Sequence, residues 1–216
     1  MASKTPISTM LYNRLISYLH YMRQLPDGGP DNISSTVIAN ALNVNDVQVR
    51  KDLAIVSNKG KPKIGYITKE LIADLDHFLG YDNTSEAVLV GVGNLGKALL
   101  TYKNFDEYGL KIVAAFEKDP NLIGKTVGGV QILDISKMVD LCKRLSIRIG
   151  IITVPSFTAQ DICEKMTSGG IRAVWNFAPV NLKVPETVIV KNEEMAASLA
   201  ILTKQLEENI AEFGLG

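Results

Sequence analysis

Apolar positions in residues 1–80 recur at helical intervals. Leu11, Leu15, Tyr18 and Met22 follow one another at steps of four, three and four, one face of an amphipathic helix. Pro6 and Ser8 supply its N-terminal signals, and Pro26-Asp27-Gly28-Gly29-Pro30 ends it. A second helix is predicted from about Ser35 to Leu42. A third begins at Asn45 or Asp46, after the brief link Asn43-Val44-Asn45. Asn45 and Gln48 have the spacing of a capping box, and Val47, Val49, Leu53 and Val56 supply the apolar positions. Two short helices joined by a tight turn, after a longer one, predict a helix-turn-helix. The basic, breaker-rich tract Asn58-Lys59-Gly60-Lys61-Pro62-Lys63-Ile64-Gly65-Tyr66 then reads as a hairpin wing. A helix over about Thr68 to Leu79 leads to a turn at Gly80-Tyr81-Asp82-Asn83.

From Glu86 the period changes. Ala87-Val88-Leu89-Val90 is a continuous apolar run, the pattern of a strand buried on both faces of a parallel sheet. A glycine loop and a helix over Lys97 to Tyr102 follow. Next come a strand Lys111–Phe116, a Gly-rich turn with Val127–Ile132, a helix Ile135–Arg144 and a strand Ile147–Val154. A helix Ala159–Ser168 and strands Ala173–Phe177 and Val188–Val190 complete the series. Strands alternating with helices predict an α/β, Rossmann-type doubly wound parallel sheet. The last element, about Glu193 to Phe213, aligns Met195, Leu199, Leu202, Leu206, Ile210 and Phe213 on one face. The expected organisation is a winged-helix domain over 1–80, a Rossmann domain over 84–192 and a C-terminal helix over 193–216.

Charge sharpens this division. Lys plus Arg and Asp plus Glu are each 23, which excludes a uniformly basic binder. Residues 1–66, however, carry eight Lys/Arg against four Asp/Glu, and five of the eight fall between Arg50 and Lys63. A hydrophobic content of 46% argues against wholesale disorder. The two cysteines, Cys142 and Cys163, exclude a disulfide framework and a Cys-rich zinc site, and no metal-ligand cluster is visible. No signal core and no apolar run near the ~20 residues of a membrane span is present, so a reducing cytoplasm is expected.

Gly91-Val92-Gly93-Asn94-Leu95-Gly96 fits G-x-G-x-x-G, and it follows a buried strand and opens a helix. In such a loop the first glycine turns the chain. The second admits a pyrophosphate, and the third lets helix and strand pack closely. Glu117 stands 21 positions after Gly96, where an acid accepts from the adenosine ribose and favours NAD(H); Lys118 lies beside it. A dehydrogenase usually needs an acid/base near the nicotinamide, most often His. Both histidines, His20 and His77, precede the glycine loop in helical segments, so the sequence supports cofactor binding over cofactor chemistry. An NAD-dependent oxidoreductase with an accessory helical domain is the alternative. A DNA-binding protein whose Rossmann domain has lost its ligand is a third reading.

Gln48, Arg50 and Lys51 lie in the first turns of the third helix, where a recognition helix meets the major groove. Gln suits adenine, and Arg or Lys suits guanine. Lys59, Lys61 and Lys63 on the wing suit phosphates or the minor groove.

With these parts in order, the chain resembles the Rex family of redox-sensing transcriptional repressors. The resemblance rests on Val49-Arg50-Lys51-Asp52-Leu53, Gly65-Tyr66, Val90 through Leu99, Val113-Ala114-Ala115-Phe116, Thr153-Val154-Pro155 and Asn176-Phe177-Ala178-Pro179-Val180. It implies a homodimer that binds a pseudo-palindromic operator, is released by NADH, and binds DNA with NAD+. It also implies that the last helix swaps to the partner. By the same resemblance the Gly91 to Gly96 loop holds the pyrophosphate, and Glu117 and Asp119 lie near the adenosine ribose. Thr153, Val154, Pro155 and the Asn176, Phe177, Ala178, Pro179 segment line the nicotinamide end. Tyr102 matches a tyrosine of the redox switch, and Glu194 and Met195 stand at the start of the swapped helix. The chain departs from the family pattern in three places. Ala54-Ile55-Val56-Ser57 replaces an aromatic pair and Gly, Pro62-Lys63 replaces Arg-Gly in the wing, and Glu194 replaces Asp.

Overall fold

The computed structural model describes residues 8–26 and 29–214; Pro6, Asp27 and Gly28 lie outside them. The chain forms two units, Met1–Thr84 with Glu107–Gly109, and Ser85–Asp106 with Leu110–Gly216.

In the first unit, α1 (Thr9–Arg23) starts at Ser8, whose side chain accepts from the Leu11 N–H. Its predicted stripe of Leu11, Leu15, Tyr18 and Met22 is buried. A two-residue strand β1 (Asn32–Ile33) leads through the Ser34 cap into α2 (Ser35–Leu42). Asn43, in the left-handed region at φ 52°, turns the chain. Asn45 then caps α3 (Asp46–Val56), accepting from the Gln48 N–H at 3.2 Å. Only half of the expected capping box forms, because the Gln48 amide donates to Asp52 at 2.7 Å instead of turning back to Asn45. Val49 and Leu53 are buried as expected, but Val47 is 53% exposed. It lies on the side of α3 away from the core.

The wing is a hairpin reduced to one antiparallel bridge, in which Lys61 and Gly65 exchange N–H···O bonds at 2.8 and 2.9 Å. After α3, strand β2 (Tyr66–Ile67) pairs antiparallel with β1, not with a strand across the wing. The wing itself is a tight turn closed between Lys61 and Gly65, with Lys63 at φ 66°. α4 (Thr68–Leu79) follows and ends at Gly80. Leu15, Leu19, Ile33, Ile38, Leu53 and Leu71 meet in one core. Each such side chain contributes about 1.5–3 kcal/mol on burial.

The second unit begins with β3 (Ser85–Val90), α5 (Asn94–Thr101) and β4 (Leu110–Glu117). A hairpin of β5 (Thr126–Val127) and β6 (Val130–Asp134) follows, then a 3-10 turn and α6 (Met138–Arg144). β7 (Ile149–Ile152), α7 (Ser156–Ser168), β8 (Ala173–Asn176), β9 (Ile189–Asn192) and α8 (Met195–Phe213) complete it. The sheet runs β5-β6-β4-β3-β7-β8-β9, parallel except for the edge pair β5–β6. The six parallel strands have the Rossmann order, reversing at β3. Period-two alternation serves both faces of the sheet. Val88 and Val90 pack with Met138, Cys142, Cys163 and Met166, while Ala87 and Leu89 pack with Val92, Leu100 and Ile132.

α5 starts three residues earlier than expected. The Gly93-Asn94-Leu95-Gly96 segment turns directly into helix, so Asn94, Leu95 and Gly96 are its first turn and Tyr102 is its C-terminal cap. α8 is nineteen residues long and buries none of them. No described helix is long and apolar enough to cross a membrane.

Candidate functional site

A cleft of about 600 Å³ opens at the C-terminal ends of β3, β4 and β7, the point where the strand order reverses. Open α/β sheets bind their ligands there. Gly91, Gly93, Glu117, Lys118, Thr153, Val154 and Pro155 are brought together in its lining.

The loop geometry follows from close packing. The Gly91 N–H donates to the Phe116 carbonyl at 3.0 Å, and the Thr153 hydroxyl donates to the Gly91 carbonyl at 2.6 Å. Gly96 packs so tightly that a Cβ there would collide with the Gly91 carbonyl. A Cβ at Gly93, by contrast, would meet nothing within 4 Å, and φ −72° is open to any residue. The two glycines therefore do different work. Gly96 serves the fold, and Gly93 leaves space above the helix N-terminus. No side chain caps α5, so its first N–H groups and the positive end of its dipole face outward, a setting for an anion.

Glu117, at the end of β4, accepts from the Val92 N–H at 2.7 Å and from the Lys118 N–H at 2.7 Å. Its carboxylate is thus pinned against the glycine loop. The Val92 side chain is buried, so only its backbone belongs to the cleft. Asp119 turns to its own loop, accepting from the Asn121 N–H at 2.9 Å.

Sequence reasoning missed Val90, Phe116, Ile135, Thr158, Asp161, Ile162 and Lys165, which complete the lining. Four of these lie on α7 at i, i+3, i+4 and i+7, one helical face. That spacing was legible. Its mixture of polar and apolar residues hid it, because the stripe faces a cleft and only Ile162 reaches the core.

The other expected cofactor contacts lie outside this lining. Asn176 is fully buried. Its amide nitrogen donates to the Val180 carbonyl at 2.9 Å and to Asn192 Oδ1 at 2.9 Å, and its oxygen accepts from the Ala178 N–H at 3.0 Å. Its side chain holds the Phe177-Ala178-Pro179-Val180 loop in place. Ala178 is buried and Pro179 exposed. Tyr102 stands 48% exposed at the end of a row of rings, 4.9 Å from Phe105; Phe105 meets Trp175 at 5.9 Å, and Trp175 meets Phe177 at 4.8 Å. Glu194 and Met195 are exposed at the start of α8.

In the first unit, a groove of about 660 Å³ runs between the start of α2, Arg50 and the wing residues Lys61 and Lys63. Arg50 is exposed and held by Asp46 at 2.7 Å, and Asp46 also accepts from the Ser35 hydroxyl at 2.7 Å. Lys51 is exposed. Two expected contacts are diverted. Gln48 is tied to Asp52, and Lys59 is drawn to Asp74 at 2.8 Å on α4. Asp52 anchors α3 to α1. It is 2% exposed and accepts from Arg14 at 2.6 and 2.9 Å and from the Tyr18 hydroxyl at 3.0 Å. Burial pushes its carboxyl up, but the hydrogen bonds from Arg14, Gln48 and Tyr18 outweigh it and hold the group below the usual carboxylate range. Burial, with the bond to Asp52, pushes the Tyr18 phenol up to about 12.

The remaining candidate groups lie elsewhere. His77 is paired with Asp82 at 2.7 Å, and His20 lies 5.7 Å, ring to ring, from Tyr108. Both cysteines are buried, and burial pushes each thiol up. The described residues form no group of three or more His, Cys, Asp or Glu able to hold a metal ion.

Comparison with known proteins joins the two sites. Residues 82–180 match the family described as "CoA binding domain", and residues 6–54 match "Putative DNA-binding protein N-terminus". The redox-sensing transcriptional repressor Rex of Bacteroides fragilis is 39% identical over 211 residues, covering 98% of this chain and 95% of that one. The chain belongs to the Rex family. The Rex of Treponema denticola is 40% identical over 189 residues, covering 88% of this chain and 90% of its own. Among solved structures, the Rex-family repressor RSP in complex with β-NAD+ and operator DNA has a TM-score of 0.89 at 32% identity, covering 98% of each chain. RSP in complex with β-NADH has a TM-score of 0.85 at 32% identity, covering 99% of this chain and 100% of that one. Rex-family architecture thus accounts for a basic helix-turn-helix and a glycine-loop cleft in one chain.

Proposed function

We propose that this chain is a redox-sensing transcriptional repressor, a homodimer that binds operator DNA and is released when NADH occupies the cleft. The observation that carries the reading is full-length similarity to a Rex repressor solved with β-NAD+ and operator DNA, and also with β-NADH. In this reading the α5 N-terminus holds the pyrophosphate above Gly93, and Glu117 accepts from the adenosine ribose while keeping its bond to the Val92 N–H. Arg50 and Lys51 meet base edges, and Lys61 and Lys63 meet the backbone or the minor groove. Gln48 and Lys59, bonded to Asp52 and Asp74 in the free chain, reach DNA by exchanging those partners, as Arg50 does by leaving Asp46.

The reading is regulatory, not catalytic. The ionisable residues lining the cleft are Glu117, Lys118, Asp161 and Lys165, with no histidine, and the relatives are named repressors. The cytoplasm, where operator and nicotinamide pool meet, is the place of action.

α8 supports the dimer. Its exposed Met195, Leu199, Leu202, Leu206 and Phe213 need a partner surface, which a second copy supplies by exchange of the helix. Glu194 and Met195 then reach the nicotinamide end of the partner's site, as do Tyr102 and the Asn176 to Pro179 loop of the chain that holds the nucleotide. NAD+ and NADH differ by one hydride and by the charge of the ring. A closed apolar pocket accepts the neutral ring and penalises the cation. Closure misplaces two recognition helices that must meet half-sites ~34–36 Å apart. A switch from 1:99 to 99:1 needs ~5.5 kcal/mol of differential binding.

The test is fluorescence anisotropy on a labelled duplex that the protein itself selects from a random-sequence library, at one stated salt concentration. Binding released by NADH and not by NAD+ is the expected result. Binding indifferent to both would overturn the redox reading.

A further inference from the structure

The outward face of α3 carries a feature that the phosphate and guanine contacts leave unused. Val47, Arg50, Lys51 and Ala54 stand at i, i+3, i+4 and i+7, so they form one row, opposite the buried Val49, Asp52 and Leu53. Two members of the row are cations and two are apolar. Val47 is on the first turn of the helix and 53% exposed. A β-branched side chain there lowers helix propensity and leaves apolar surface in water. Nothing among the described residues uses it, since the core of this unit is closed by Val49 and Leu53 about half a turn around the helix. The polar neighbour that could have competed for the same position, Gln48, is tied down by Asp52 at 2.7 Å.

The major groove presents one apolar feature, the 5-methyl group of thymine. Recognition helices meet base edges with their N-terminal residues, which is where Val47 stands. We propose that Val47 is a specificity-determining residue that packs on a thymine methyl in each half-site, rejecting cytosine at that position. The inference rests on the DNA-binding reading above. Lys51 is one turn further along the row, ~6 Å of helix rise, so the thymine lies within about two base pairs of the base that Lys51 contacts.

Deoxyuridine removes that methyl and nothing else. With the duplex selected by the wild-type chain, each thymine is replaced in turn and the affinity measured. One thymine per half-site is expected to weaken binding roughly fourfold on replacement, the worth of one buried methyl. Val47→Ser, at an exposed position, is expected to keep the wild-type melting temperature and circular dichroism. It binds the thymine duplex more weakly and loses the thymine–uracil difference at that position alone. No uracil-sensitive position in the wild type, or a sensitivity that persists unchanged in Val47→Ser, would overturn the assignment while leaving DNA binding intact. A wild-type chain that selects no duplex at all would remove the DNA-binding reading, and this inference with it.

Discussion

Gly93 and Gly96 occupy equivalent-looking places in one motif, yet the structure assigns them opposite costs. A side chain at Gly96 collides with the Gly91 carbonyl, whereas one at Gly93 meets only the space of the cleft. Gly93→Val is expected to cost the fold only a favoured N-cap residue, about 1 kcal/mol, and to weaken NADH binding more than about tenfold in a fluorescence titration; Gly96→Val, which collides with backbone, is expected to lower the unfolding temperature further. Asp52 poses a question of charge. Its folded-state pKa is depressed, so the stability it contributes is present above the unfolded value near 3.9 and is lost as pH falls through the folded value. Urea midpoints followed by circular dichroism from neutral pH into acid should therefore fall below about pH 4. Asp52→Asn should be about 1–3 kcal/mol less stable at neutral pH and show a flatter acid limb. Arg50 is exposed, and its partner among the described residues is Asp46 on its own helix, an exposed pair that it can exchange for DNA at small cost. Arg50→Ala is expected to weaken binding to the selected duplex by ~1–3 kcal/mol if it reads a base; unchanged affinity in the anisotropy assay would remove it from the base contacts.

Elements show where local sequence suffices and where it does not. α2 and α4 coincide with their expected ranges; Ser34 and Asn43 mark both ends of α2, while α4 has a signal only at its end, Gly80, and starts after Ile67 without a side-chain cap. The wing hairpin shrinks to the single bridge of Lys61 with Gly65, because β-capable residues say nothing about which strand they pair with. β2 finds β1 across some thirty residues of chain. Lys63 at the tip adopts φ 66°, a conformation that suits glycine and stands where the family pattern has Gly. α8 is the element whose sequence and environment disagree most. Its apolar stripe is complete, and none of it is buried. Truncation after Asn192 removes no buried residue of this unit and is expected to give monomers in sedimentation velocity; a dimer of undiminished stability would exclude the helix exchange.

For the whole molecule, the two sites lie in separate units, so any signal between them is a free energy shared across the chain or the dimer. Linkage makes the coupling reciprocal: if NADH lowers operator affinity by some factor, the operator lowers NADH affinity by the same factor. Titrating NADH with and without saturating duplex should give equal factors within error. Inequality would mean that a further species, such as a change in oligomeric state, takes part in the cycle.

Periodicity and spacing by themselves determined the helices of the first unit, the α/β alternation of the second, and the glycine loop with its acid, because these depend on neighbours within a few residues. They also showed that α8 has an apolar face to bury. Tertiary structure decided what each polar group is free to do. Lys59 reads as a DNA contact in one dimension, and the fold places it 2.8 Å from Asp74 on α4, a partner fifteen residues away that no local spacing relates to it. The side chain of Asn176 bonds to Ala178 and Val180 of its own loop and to Asn192 at the end of β9, because a buried amide must be satisfied. The spacing of Thr158, Asp161, Ile162 and Lys165 on α7 is local, but that this face lines a cleft with the ends of β3, β4 and β7 follows only from the strand order, for a cleft is made by distant segments that no local pattern relates.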